Sequence, residues 1–218
     1  MNNKEIFEKH GFCIVRNALS AEVRDVITQY ALFDEMQDYK PEGVKPNGVT
    51  VPDAHSKYAD PAMESLLLHL HETVEKETGI TLYPTYSYYR VYRNGDELAH
   101  HKDRPACEIS ATLCFNYDYN DKEYQWPIYM DGHKIVLYPG DLAIYRGCDL
   151  DHWREKLEYP QDIWHVQGFF HYVDANGPNA FCKYDQRESI GDKAKPKPKS
   201  NTTNNVVENS KPYIQYTR

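Results

Sequence analysis

Apolar positions recur at helical spacing in the first third of this chain and at strand spacing in the middle. Asn3 to His10 predicts a short helix, and Phe12 to Arg16 a strand. Ser20 is placed to cap a helix over AEVRDVITQYALFDEM, where Val23, Ile27, Tyr30 and Ala31 recur at helical spacing. Asp60-Pro61 predicts a second long helix, with Asp as N-cap and Pro at the first helical position. It runs through MESLLLHLHETVEKET and stops at Gly79. His69 and His71 lie within it, about 200° apart around the axis, and cannot share a metal.

From Thr81 the period changes. TLYPTYSYYRVYR reads as a strand, and Asn94-Gly95 predicts a hairpin returning through Leu98 to Asp103. Cys107 to Tyr117 is a further strand, followed by a polar loop over 118–125. PIYM and HKIVLY flank Asp131-Gly132 as a second hairpin. Pro139-Gly140-Asp141 turns into LAIYRG, and Ile163 to Val173 closes the series. Eight short strands preceded by helices predict an α+β, mainly β fold: a double-stranded β-helix (jelly roll) with the N-terminal helices on one face. The stretch 37–58, with Pro41, Gly43, Pro46, Gly48 and Pro52, predicts a long irregular loop of the kind that covers or binds.

Length and charge narrow the class. The chain has 218 residues, room for one domain over 1–188 and a polar tail over 189–218. The tail carries alternating Lys-Pro at 195–198 and six Lys/Arg against Asp192 and Glu208, and predicts a solvated segment. The net charge of -8 argues against nucleic acid or an anionic membrane as partner. No apolar run is long enough to span a bilayer, and the N-terminus lacks a signal-peptide core. Cys13, Cys107, Cys114, Cys148 and Cys182 show no CxxC spacing; an odd count of this kind predicts free thiols and a cytoplasmic location.

The candidate chemistry sits in His101-Lys102-Asp103. In a strand, residues i and i+2 project from one face, so His101 and Asp103 can chelate a single metal. His100, three residues before Asp103, faces the other side and is set aside. His152 lies beyond a Pro-Gly-Asp turn and a short strand, an interval long enough to bring it back to the pair. Two imidazoles and one carboxylate form the facial ligand set of mononuclear non-haem iron(II) sites with open positions.

The segments YRVYRNGDELAHHKDRPACEIS (89–110), LYPGDLAIYRGCDLDHWRE (137–155) and WHVQGFFHYVD (164–174) resemble the iron(II)/2-oxoglutarate-dependent dioxygenases, on the prolyl-hydroxylase-like side. GFCIVRNALSAEV resembles their lead-in strand and helix, so the likeness runs over about residues 10–185. It implies Fe(2+) held by His101, Asp103 and His152, with 2-oxoglutarate as co-substrate and O2 as oxidant. The implied reaction hydroxylates a peptidyl or small-molecule substrate and releases succinate and CO2.

The distal carboxylate of 2-oxoglutarate needs a buried cation. Relatives place Arg or Lys on the strand after the second histidine; here that strand offers His165 instead. Arg154, two residues after His152, is the other candidate, and its planar fork suits a carboxylate. Tyr92 and Thr112 are candidate hydroxyl contacts to the co-substrate, and Arg90 and Arg104 flank the site. Two other readings are open: a non-catalytic jelly-roll binding module, and a cupin-type iron enzyme that does not use 2-oxoglutarate. Substrate identity and oligomeric state are not encoded in any readable motif.

Overall fold

The computed structural model describes residues 1–38, 54–119 and 124–192. Two antiparallel sheets face each other, with three α-helices against the outer face of the larger one. Among the described residues, no helix is long and apolar enough to cross a membrane.

Helix α1 (Asn3–His10) closes a capping box between Asn2 and Glu5, and Gly11 ends it in the left-handed region at φ 75°. Strand β1 (Phe12–Val15) follows. Helix α2 (Ala21–Gln37) starts after Ser20, whose side chain makes no cap hydrogen bond. Its buried face is Ile27, Thr28 and Ala31, whereas Val23 and Tyr30, expected on the same stripe, are partly exposed. Ile27 and Ala31 join the core cluster, and Val23, near the start of the helix, does not. Helix α3 (Pro61–Thr78) begins as its sequence predicts: the Asp60 carboxylate accepts from the Ala62 and Met63 amides, and Gly79 is left-handed at φ 73°. His71 of this helix stacks on Tyr172, and His69 is exposed.

The large sheet has the order β1-β8-β5-β10-β3-β2. Its other members are β2 (His55–Tyr58), β3 (Leu82–Arg93), β5 (Ile109–Tyr117), β8 (Leu142–Arg146) and β10 (Trp164–Asp174). The small sheet, β4-β9-β6-β7, consists of β4 (Leu98–His101), β6 (Ile128–Met130), β7 (His133–Ile135) and β9 (His152–Arg154). Alternation along β10 divides its side chains between two environments. Val166, Phe170 and Tyr172 pack under the helices, with Met63, Leu67 and Leu70. His165, Gln167, Phe169 and His171 face the small sheet.

The structure corrects the strand map at several points, among them the end of the strand from Leu98 at His101 and not Asp103. β2 lies at the end of the expected 37–58 loop, recruited by pairing with β3 although His-Ser-Lys-Tyr has no apolar alternation; the rest of that loop, 39–53, lies outside the described residues. β9 is a second unforeseen strand. Asn94-Gly95 is not a hairpin between paired strands: β3 pairs with β10 and β2, whereas β4 pairs with β9, so the turn passes the chain from one sheet to the other. The Asn94 side chain anchors that corner by accepting from the Tyr159 amide at 2.8 Å and donating to the Tyr159 carbonyl at 2.6 Å. Cys107 lies in a 3-10 turn (Pro105–Cys107) rather than in β5. The Asp131-Gly132 hairpin does form, with φ 45° and 81° at the two turn residues and Met130 opposite His133.

After β10 a 3-10 segment (Ala180–Gln186) leads to Arg187, which forms a fully buried ion pair with Glu64 of α3 at 2.8 Å. The Gly191 amide donates to the same carboxylate. All five cysteines are free.

Candidate metal centre

The pairing of β4 with β9 places His101 directly opposite His152, and Leu98 opposite Arg154. The two imidazoles sit with centroids 4.2 Å apart. Asp103 is not carried by β4, which ends at His101. Its amide instead donates to the Gly147 carbonyl at 2.8 Å, just past the end of β8. The Asp103 Oδ1 oxygen then lies 3.8 Å from Nε2 of His101 and 3.8 Å from Nε2 of His152. All three groups are largely shielded, His152 and Asp103 most of all.

The nitrogens are oriented as well as gathered. His101 Nδ1 donates to the Ala99 carbonyl at 2.8 Å, and His152 Nδ1 to the Leu150 carbonyl at 3.0 Å. A neutral imidazole that donates through Nδ1 presents a lone pair at Nε2. Both lone pairs therefore converge on the space beside Asp103 Oδ1, with the second ring nitrogen tied to backbone. Burial, and then the neighbouring His152, lowers the pKa of His101, which favours the neutral form that binds metal. Two imidazole nitrogens and one carboxylate oxygen, all within 4.8 Å of one another, suit iron(II).

Gly147 is the backbone condition for this arrangement. A Cβ there would overlap Asp103 Oδ2 and the Cys107 carbonyl. Gly147→Ala is expected to displace the Asp103 carboxylate and weaken metal binding by at least about tenfold, the size of effect seen when a ligand loses its support. Isothermal titration with manganese(II) measures it; wild-type affinity in the variant would show that Asp103 does not depend on this contact.

Along the barrel from the triad lies Arg154, 2% exposed. Its guanidinium donates from one terminal nitrogen to the Trp126 carbonyl at 2.7 Å and from the other to Gln167 Oε1 at 3.3 Å. It lies 4.5 Å over the Trp126 ring. It does not pair with Glu155 or Glu158 at the surface; it forms no ion pair among the described residues, and its buried Nε has no acceptor. Burial lowers its pKa from the usual arginine value. A buried cation without a counter-charge is costly, and the cost is relieved when a carboxylate binds.

Of the remaining candidates, His165, Thr112 and Tyr92 lie around this guanidinium, and Arg104 and His100 do not. His165 Nε2 donates to Gln167 Oε1 at 2.8 Å, and its Nδ1 meets the Tyr119 hydroxyl at 3.1 Å. Burial first, and the Arg154 cation second, push its pKa down to about 3, so it is neutral and both ring nitrogens are engaged. Thr112 accepts from Gln167 Nε2 at 2.6 Å and donates to the Gly168 carbonyl at 3.3 Å. Tyr92 is fully buried, with its ring edge-on to Trp126 and its hydroxyl 3.4 Å from an Arg90 nitrogen. Arg104 is bound in a two-pronged pair to Asp185 at 2.7 and 2.9 Å. His100 points away: it stacks on Trp153 at 3.9 Å and bonds Asp151.

Three residues of this interior were not singled out from sequence. Gln167 links Arg154, His165 and Thr112. Ser110 bonds Asp103 Oδ2 at 2.7 Å, and His171 contacts Ser110. The usable signal was parity on β10: Gln167 and His171 share a face with His165, and polar residues on a buried face need partners.

No family model and no curated protein sequence matches this chain. Solved structures do. A prolyl-4-hydroxylase from Pseudomonas putida superposes with a TM-score of 0.58 at 17% identity, over 77% of this chain and 95% of its own. The non-haem alpha ketoglutarate dependent epimerase SnoN of nogalamycin biosynthesis superposes with a TM-score of 0.59 at 12% identity, over 78% and 80%. EctD from S. alaskensis, solved with bound Fe, gives 0.59 at 12% identity, over 79% and 75%. The fold of this chain is that of the iron(II)/2-oxoglutarate-dependent dioxygenases, as its sequence segments implied.

Proposed function

We propose that this protein is an iron(II)- and 2-oxoglutarate-dependent oxygenase. The carrying observation is the coexistence of two features in one barrel. One is a two-nitrogen, one-oxygen donor set with free Nε2 lone pairs; the other is a buried guanidinium that has no carboxylate partner among the described residues. A binding module needs neither feature, and an iron site that works without 2-oxoglutarate has no use for the second.

In this reading His101, Asp103 and His152 hold the metal, leaving positions open for co-substrate and oxygen. Arg154 receives the far carboxylate of 2-oxoglutarate, because it is buried, forms no ion pair among the described residues and keeps an Nε without an acceptor. Iron(II) bound here supplies oxygen activation coupled to the conversion of 2-oxoglutarate to succinate and CO2. His165 serves as a neutral spacer that, with Gln167 and Thr112, holds the Arg154 fork in plane. Tyr92, Trp126 and Tyr119 wall the co-substrate space and keep water out of it. The substrate is peptidyl or a small molecule.

The test is iron(II)-dependent formation of succinate from 2-oxoglutarate, compared with His101→Ala. Turnover confined to the wild type supports the proposal. Iron binding with no response to 2-oxoglutarate would instead favour the cupin-type reading, and no iron binding the non-catalytic one.

A further inference from the structure

We infer that Ser110 and His171 are a positioning pair that holds Asp103 to the metal through one oxygen only. The inference rests on the assignment of His101, Asp103 and His152 as metal ligands.

A carboxylate can bind a metal through one oxygen or both. Oδ1 of Asp103 faces the two imidazoles. Oδ2 faces the opposite way, into a closed niche made by Gly147, the Cys107 carbonyl and Ser110. Ser110 is fully buried and His171 nearly so, so the protein must supply what solvent would otherwise give Oδ2.

The Ser110 hydroxyl has one proton; Asp103 Oδ2 at 2.7 Å and the Cys107 carbonyl at 3.1 Å are acceptors in reach, and the buried Tyr145 hydroxyl also lies against it. The nearer, charged acceptor makes the stronger bond. His171 decides whether that proton is available. Its Nδ1 lies 2.9 Å from Ser110 Oγ. If Nδ1 carried no proton, it would compete for the serine proton and Oδ2 would face a lone pair. With the proton on Nδ1, the order is His171 N–H to Ser110 O–H to Asp103 Oδ2, and the carboxylate oxygen receives the serine proton. Tyr86 holds the ring in place at 4.6 Å, and Arg104 lies 4.6 Å over Tyr86. The same chain of contacts thus runs from the Asp185–Arg104 pair to the back of Asp103.

The consequence is for coordination. An Asp103 bound through both oxygens would occupy a position that 2-oxoglutarate or oxygen needs. With Oδ2 engaged by Ser110, that position stays open.

Manganese(II) is the probe, since it reports bound water through water-proton relaxation without turnover. Wild type, Ser110→Ala, Ser110→Thr and His171→Phe are loaded with it, and 2-oxoglutarate affinity is measured by calorimetry. Ser110→Ala is expected to keep manganese, to lose about one exchangeable water, and to bind 2-oxoglutarate about tenfold or more weakly, in the range for such supporting contacts. Ser110→Thr should restore both, and His171→Phe should fall between, its serine now free to turn toward Cys107. Wild-type water count and 2-oxoglutarate affinity in folded Ser110→Ala would overturn the inference; so would complete loss of manganese from that folded variant. Circular dichroism checks folding; if Ser110→Ala does not fold, unchanged relaxation in His171→Phe overturns it. A wild-type protein that binds no manganese would remove the proposed function itself, a different failure.

Discussion

Asp103→Ala is expected to bind iron(II) or manganese(II) at least about 100-fold more weakly than the wild type, beyond what loss of a supporting contact costs. The two imidazoles that remain are neutral, and the carboxylate is the only anionic donor of the set. The fold should survive, because Asp103 sits after β4 and contributes its backbone amide, not its side chain, to the bond with Gly147. Titration calorimetry under nitrogen reads the affinity. Undiminished binding would place the metal elsewhere.

Arg154→Met is expected to separate stability from co-substrate binding. In the protein without 2-oxoglutarate, Arg154 is a buried cation with no opposite charge among the described residues. Replacing such a charge by an apolar side chain of similar length is neutral or stabilising in many proteins. The melting temperature of the variant should therefore equal or exceed that of the wild type. Its affinity for 2-oxoglutarate should fall by about 30- to 5,000-fold, the equivalent of losing roughly 2–5 kcal/mol from a buried charged pair. The clearest readout is the shift of melting temperature with added 2-oxoglutarate, which mass action requires of any ligand that binds the folded state. The wild type should shift and Arg154→Met should not. A variant that melts lower but still responds to 2-oxoglutarate would make Arg154 a structural residue and return His165 to consideration.

Much of the fold was legible because its signals are local. Asp60-Pro61 and Gly79 bound α3 as their backbone chemistry requires. The Asp131-Gly132 turn forms because both residues tolerate positive φ. What escaped is long-range. β2 owes its strand to pairing with β3, and β9, three residues long, to its place between β4 and β6; neither has a period of its own. The Asn94-Gly95 turn was legible as a turn, but which sheet each flank joins is set by tertiary pairing.

The candidate site divides in the same way. The His-x-Asp spacing pointed to His101 and Asp103, but the strand parity behind it fails at Asp103, which the Gly147 carbonyl and not β4 places; His152 was visible through its context. Arg154 and His165 could not be told apart from sequence, since both sit at plausible strand positions. Burial separates them: it leaves His165 neutral with both nitrogens engaged, and Arg154 charged with a donor to spare. Ser110, Gln167 and His171 carry no motif. Parity on β10 points to Gln167 and His171, and Ser110 emerges when each buried polar atom is followed to its partner.

The central claim is that one barrel holds both a metal and 2-oxoglutarate in contact with it. Anaerobic addition of 2-oxoglutarate to the iron(II)-loaded protein tests this most directly, because chelation of iron by the keto acid creates a visible charge-transfer absorption. A saturable band that is present in the wild type, absent in His101→Ala and shifted to much higher 2-oxoglutarate concentration in Arg154→Met is the predicted result. Iron(II) that binds stoichiometrically yet gives no such band at any 2-oxoglutarate concentration would contradict it.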